Sequence, residues 1–272
     1  MQNGPRGSGA PQGRAGDRSG TLRSETRRTS EIDARTRDAM WSLFERYYAD
    51  VRRDVLERDL SNKQYVILLL DEGDGSVQGF STVQVYRRVI DGRPVQVVFS
   101  GDTVIERTYW GQGVVQRAYA ALFLRVKLER PSEPLYYFLL SKGYKTYLLL
   151  TRSYPEHWPR HDRETPPHVR AILDALSREK FGALYDASTG VVRVPSAEGR
   201  LREDVAPIHE GLMADPDIRF FATINPGYVH AHELCCIAPV TWLTPVRYVV
   251  SRGVRALSSR LRAPLSATGT RR

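Results

Sequence analysis

Residues 104–123 read VIERTYWGQGVVQRAYAALF, and the reading of this stretch decides the fold. Val104 and Ile105 close a β-branched run, Trp110-Gly111-Gln112-Gly113 interrupts it, and apolar residues then recur at helical spacing. Val115, Ala118, Leu122 and Val126, with Tyr119 and Phe123 beside them, mark one helical face, and Pro131 ends it. The order is strand, glycine turn, helix. A helix starting at the turn aims unpaired N–H groups and the positive end of its dipole at whatever fills that turn. Glycines let a phosphate approach the backbone, so a pyrophosphate fits. The plainer reading is an ordinary strand-to-helix connection.

Upstream, Ser30 followed by Asp33 resembles a helix N-cap. Ile32, Met40, Leu43, Phe44, Tyr47, Tyr48, Val51 and Val55 then predict a long amphipathic helix, with a break near Ala49. YVILLLD (65–71) reads as a buried strand and SVQGFSTVQVYRRV (76–89) as its antiparallel partner. A turn at DGR (91–93) leads into the long strand PVQVVFSGDTVIERTY (94–109). LYYFLLS (135–141) is a further strand, closed by Lys142-Gly143.

Helices, a three-stranded meander and a long strand ending VIERTYWGQGVV before a helix resemble the GCN5-related N-acetyltransferase (GNAT) superfamily over roughly residues 30–160. That family's loop reads Gln or Arg, two residues, Gly, one residue, then Gly or Ala. Here Gly113 matches the central glycine and Gly111 a common choice, while Trp110 replaces the Arg or Gln and Val115 the small residue. The resemblance implies an α/β (α+β) fold with a mixed, largely antiparallel sheet flanked by helices, and a C-terminal extension. It implies acyl transfer from a pantetheine thioester, on coenzyme A or an acyl carrier protein, to a small-molecule amine acceptor. Val104, Ile105, Trp110, Gly111, Gln112, Gly113, Val114 and Val115 would contact the donor. Acyltransferases of this superfamily that use carrier proteins also depart from the loop pattern. The strand after the helix would splay from the long one to admit the pantetheine arm. A tyrosine near the next short helix would protonate the leaving thiolate, with Tyr144 and Tyr147 the candidates by position. Alternatively Tyr136, Tyr137, Tyr144 and Tyr147 are core aromatics.

Alternation along the long strand predicts Ser100, Asp102 and Glu106 on one face. Asp102 and Glu106 would lie about 13 Å apart, each able to act as general base toward an ammonium nucleophile. Glu106, nearer the expected thioester, is the first choice. The alternative for either is a solvated strand face or an ion pair with arginine.

The remaining segments divide the chain. Residues 1–29 are polar, rich in arginine and glycine, and read as a disordered basic tail before the donor-binding core of 30–160. Residues 161–244 read as an extension continuing the sheet. It contains a helix from Thr165-Pro166-Pro167, strands in STGVVRV and DIRFFATIN (217–225), and a turn at 225–227. YVHAHELCC (228–236) offers His230, His232, Glu233, Cys235 and Cys236, but their spacing fits no zinc pattern, so no metal is expected and the cysteines read as buried thiols. Residues 245–262 pattern as a basic amphipathic helix, suited to peripheral membrane contact or an acidic partner, or to packing on its own domain.

Lys and Arg total 40 against 31 Asp and Glu, a net charge of +9 that favours anionic partners. No base-reading module accompanies it, so specific nucleic-acid binding is not expected. No apolar run reaches the roughly 18 residues of a membrane span, no signal peptide is evident, and adjacent cysteines make no disulfide framework. These features predict a cytoplasmic protein. The rival functional class is a catalytically degenerate GNAT-like protein that binds an acidic protein or lipid surface through its arginines; Trp110 and Val115 favour it.

Overall fold

The computed structural model describes residues 20–194 and 199–244. In chain order the elements are β1 (Leu22–Arg28), α1 (Ala34–Tyr47), β2 (Tyr48–Ala49), α2 (Arg53–Ser61), β3 (Tyr65–Asp71), β4 (Val77–Ile90), β5 (Arg93–Ile105) and α3 (Val114–Glu129). They continue with β6 (Leu135–Ser141), α4 (Tyr144–Ser153), α5 (Pro167–Phe181), β7 (Tyr185–Asp186), β8 (Val191–Val192), β9 (Arg200–Leu201), α6 (Pro216–Ile224) and β10 (Glu233–Val240). The main sheet has eight strands in the order β1-β3-β4-β5-β6-β10-β8-β7. Every pairing in it is antiparallel except β5 with β6. This is the mixed, largely antiparallel α/β sheet flanked by helices that the GNAT resemblance implies.

Alternation decides what covers each face. Ile67 and Leu69 of β3 pack with Val98 of β5 against Val115, Tyr119 and Phe123 of α3. Val66, Leu68 and Leu70 point the other way, onto Met40, Leu43 and Phe44 of α1 and Leu60 of α2. Further along that second face, Val97, Phe99 and Phe138 meet Val169, Ile172, Leu173 and Leu176 of α5. β3 is thus buried on both sides, which is why its sequence is a continuous apolar run. The extension continues the sheet, because β10 pairs with β6 over seven residues and carries β8 on its other edge.

Four expectations are corrected. Leu22–Arg28, assigned to the tail, forms β1 along the β3 edge; only Leu22 is buried there, so the sequence shows little apolar signal. The N-terminal helix divides at the expected break, the chain extending at Tyr48–Ala49 to pair with β9, but Asp33, not Ser30, caps α1 by accepting from the Thr36 N–H. The long strand ends at Ile105, followed by a 3-10 turn at Arg107–Tyr109. DIRFFATIN is helix α6, started by Pro216 with Asp215 accepting from the N–H groups of Asp217 and Ile218. Ile218 and Phe221, one helical turn apart, are its buried residues. Residues 1–19, and the helix expected at 245–262, lie outside the described residues.

Candidate active site

β5 and β6 pair only as far as Ser100 and Leu139. Beyond that point β5 continues along β4, whereas β6 runs on beside β10. The separation opens a cleft flanked by the first turn of α3 and by α4. Two cavities, of about 680 and 560 Å³, occupy it. Tyr48, Thr103, Val115, Gln116, Lys142 and Thr146 line both, so the two spaces meet at the splay.

The larger cavity contains the glycine turn. Val104, Ile105, Trp110, Gly111, Gln112, Gly113, Val114 and Val115, the predicted donor-side residues, all line it. Gly111 and Gly113 hold φ of 84° and 67°, a left-handed conformation that side chains resist. Gly113 is the N-cap of α3 and offers no side chain to the first helical turn, leaving that turn's amide face bounded by the cavity. Gln112 is occupied elsewhere: its Oε1 accepts from the Leu22 N–H at 3.0 Å and its Nε2 donates to the Gly20 carbonyl at 2.8 Å, which ties the loop to β1. Trp110 donates through Nε1 to the Ile105 carbonyl at 2.7 Å, and the Lys145 ammonium sits 4.2 Å from its ring centroid. Lys145, Lys142 and Arg152 make this cavity's lining basic. Val114 and Val115 are buried in the core, so Val115 stands as wall between the cavities.

The smaller cavity holds Asp102. A β-bulge sets two residues of β5, Gly101 and Asp102, opposite Thr82 of β4, because Ser81 pairs with Thr103 and Val83 with Ser100. The bulge breaks the alternation on which the one-face expectation for Ser100, Asp102 and Glu106 rests. Ser100 turns toward α3, where its Oγ accepts from the Tyr119 hydroxyl at 2.7 Å. Val104 instead packs on the α1 side. Asp102 lies among Asp59, Lys63, Lys142 and Glu233. Burial pushes its carboxyl up and the Asp59 carboxylate adds to this; Lys142 and Lys63 offset only part, leaving the pKa at about 6.

Glu106 lines neither cavity. It accepts from the Tyr47 hydroxyl at 2.7 Å and from the Arg107 N–H at 3.0 Å, and pairs with Arg46. Burial alone would raise its pKa, but the Tyr47 and Arg107 hydrogen bonds and the Arg46 charge outweigh it and hold the carboxyl below its ordinary value. It anchors the end of β5 to α1. Tyr144 and Tyr147 also line neither cavity. Tyr147 is fully buried and donates to the Pro159 carbonyl at 2.9 Å, and Tyr144 is packed in the same core. Both match the core-aromatic alternative.

Several lining residues escape a sequence reading. Thr146, Leu149 and Ser153 recur at i, i+3 and i+7 along α4 and line both cavities. Their spacing was readable, but a mixed polar and apolar stripe carries no distinctive signal. Lys142 donates to the Gly199 carbonyl at 2.9 Å and pairs with Glu233 at 3.1 Å, partners far away in sequence. Gln116 has a buried Oε1 with no hydrogen-bond partner. Cys235 and Cys236 are buried in β10, burial raising both thiols, Cys236 to about 12. Among the described residues no group of three or more His, Cys, Asp or Glu could hold a metal ion, and no helix is long and apolar enough to cross a membrane.

No family model matches the chain, and no curated protein matches it significantly. Solved structures do. A GNAT-family N-acetyltransferase from Escherichia coli, in complex with CoA, aligns at 16% identity and a TM-score of 0.34 over 46% of this chain and 66% of its own length. A probable N-acyltransferase from Enterococcus faecalis aligns at 15% identity and a TM-score of 0.35, over 58% of this chain and 44% of its own. An aminoglycoside acetyltransferase from an uncultured soil metagenomic sample aligns at 18% identity and a TM-score of 0.35, over 54% of this chain and 93% of its own. The chain therefore spans less than two thirds of the first two. At these scores the GNAT-like reading of the fold rests on the element order and the splayed parallel pair described above.

Proposed function

We propose that this protein is an acyltransferase that moves an acyl group from a pantetheine thioester to an amine. The observation that carries the reading is the junction of two cavities at the β5–β6 splay, one with the glycine turn and the α3 N-terminus, the other with Asp102. A helix N-terminus capped by glycine suits the donor's phosphate, because its N–H groups and dipole favour an anion and no side chain blocks the approach. The pantetheine arm runs from there along the splay, and Gln116 Oε1 is available to accept from one of its amide N–H groups. No metal enters this scheme.

The acceptor amine enters from the smaller cavity as an ammonium. Asp102 removes one proton to expose the lone pair; a carboxylate with a pKa near 6 is ionised at neutral pH yet more basic than an ordinary aspartate. The nitrogen attacks the thioester carbonyl, the C–S bond breaks, and the second N–H proton is lost to the departing thiolate. The products are an amide, a free thiol and one proton released through Asp102. Lys142, reaching both cavities, offsets the negative charge that develops on the carbonyl oxygen and then on sulfur.

The donor is carried by coenzyme A or by an acyl carrier protein. The basic lining around Lys145 and Arg152 and the +9 chain charge suit both, and a carrier's acidic surface would be held in a salt-sensitive way. Calorimetric titration of coenzyme A and of holo acyl carrier protein at two salt concentrations tests the assignment. Binding of either supports it, strong salt dependence identifies the carrier, and no binding of either overturns the donor-site reading.

A further inference from the structure

Nine charged side chains line the smaller cavity, and seven of them have an ionic partner in the fold. Asp59 pairs with Lys63, Glu233 with Lys142, Asp50 with Arg200, and both Arg52 and Arg58 with Asp54. Two remain, Asp102 and Lys180, and they carry opposite charges. Asp102 makes no hydrogen bond or ion pair among the described residues. Lys180 donates to the neutral Gln84 Oε1 at 2.7 Å and sits 4.2 Å from the Phe99 ring centroid, with no carboxylate in ion-pair range. A half-buried charge with no direct partner is costly unless an opposite charge meets it. Burial accordingly displaces both toward neutrality, Asp102 up to about 6 and Lys180 down to about 8, the nearby Lys63 ammonium adding to the latter.

The two groups stand at different ends of the space. Asp102 is at the splay, beside the junction with the larger cavity, whereas Lys180 lies over Phe99, three residues back along β5 and about 10 Å away along the strand. Between them Phe99, Phe181 and Leu140 supply apolar wall, and the Lys63 ammonium, paired with Asp59, lies 5.7 Å from the Phe99 ring centroid. The lining thus sets the Asp102 carboxylate at the junction and the Lys180 ammonium farther back along β5, with the Lys63–Asp59 pair beside the path between them.

We infer that the acceptor is a zwitterion: a primary amine whose nitrogen is received by Asp102 and which carries an anionic group, carboxylate or phosphate, received by Lys180. This deepens the acyl-transfer proposal and rests on it. A neutral amine would leave Lys180 with only the more distant Asp59 and Glu179 carboxylates, whereas a zwitterion brings a direct counter-charge to Asp102 and Lys180 at once. Charge-assisted contacts of this kind are worth about tenfold or more in affinity.

The test compares matched probes: β-alanine with β-alaninamide, 4-aminobutyrate with 4-aminobutanamide, and O-phosphoethanolamine with ethanolamine. The full chain is first assayed for ligand-induced shifts of its thermal midpoint, which needs no donor and no turnover, and then for thiol release from acyl donors. The anionic member of at least one pair is expected to raise the midpoint more than its neutral counterpart and to show a KM lower by about tenfold or more. Lys180→Gln is expected to bring the two members of that pair to about equal KM, and Lys180→Arg to restore part of the preference. Equal or better binding of every neutral member, or a preference that survives Lys180→Gln, would overturn the inference while amine-dependent thiol release left acyl transfer standing. No midpoint shift with any probe, together with no thiol release, would overturn both.

Discussion

Replacing Asp102 by asparagine is expected to raise stability while removing turnover, because one half-buried charge causes both effects. The folded carboxyl has a pKa of about 6 against an ordinary value of 3.8. The native state therefore holds its proton more tightly than the unfolded chain does. As pH rises through this window the unfolded chain ionises first, so stability falls; above pH 6 the whole cost of holding a partly desolvated carboxylate persists. At about 1.4 kcal/mol per pKa unit, that cost approaches about 3 kcal/mol. Asparagine keeps the shape and has no charge to desolvate. At pH 8 Asp102→Asn should be more stable than wild type by up to about 3 kcal/mol, or about 6 °C in midpoint for a domain of this size. The gain should shrink on acidification and vanish below about pH 4, where aspartate is protonated in both states. Turnover should fall by on the order of 100-fold or more, and the wild-type rate should rise with pH around an inflection near 6. Urea unfolding followed by circular dichroism at pH 4, 6 and 8, with amide product measured in parallel, checks both arms. A variant less stable than wild type at pH 8, or a gain indifferent to pH, would refute the electrostatic reasoning.

Glu106→Gln should behave in the opposite sense: it loses the Arg46 pair and costs about 1 kcal/mol at neutral pH, a penalty that fades as acid protonates the wild-type carboxyl, while KM for donor and acceptor stays within a few-fold; a 100-fold loss of turnover would return Glu106 to the mechanism. Gln112→Ala removes both hydrogen bonds to the Gly20–Leu22 backbone and should cost about 2 kcal/mol, with faster amide exchange in Leu22–Arg28; unchanged protection there would show that the clamp does not hold β1. Deleting residues 1–29 strips β1 from the sheet edge and should lower the thermal midpoint markedly, whereas deleting 1–19 leaves these contacts in place; equal midpoints for the two truncations would mean that β1 contributes nothing to stability.

The lining of the larger cavity was legible in the sequence because its information is local. Gly111 and Gly113 sit within a few residues of the strand they end and the helix they start, and all eight residues predicted from that stretch line one cavity. The different fates of Glu106 and Asp102 were not legible because the deciding information is long-range. Glu106 and Asp102 look alike in sequence, yet Tyr47 and Arg46, some sixty residues away, capture the first. The bulge at Gly101–Asp102 and the strand splay leave the second facing a cavity. Tyr144 and Tyr147 occupy the expected helix, but its apolar face turns them into the core. β1 was missed because six of its seven residues are polar, as an edge strand allows, and α6 because its β-branched and aromatic composition outweighed the Asp215-Pro216 start signal.

The central claim is that the two cavities hold donor and acceptor of a single acyl transfer. Its most direct test is to incubate the full chain with acyl-coenzyme A or acyl carrier protein and the amine panel, measuring free thiol and amide product by mass spectrometry. Thiol release should depend on the amine, match the amide in amount, and be lost in Asp102→Asn. Thiol release that ignores the amine, or amide formation undiminished in Asp102→Asn, would contradict the account.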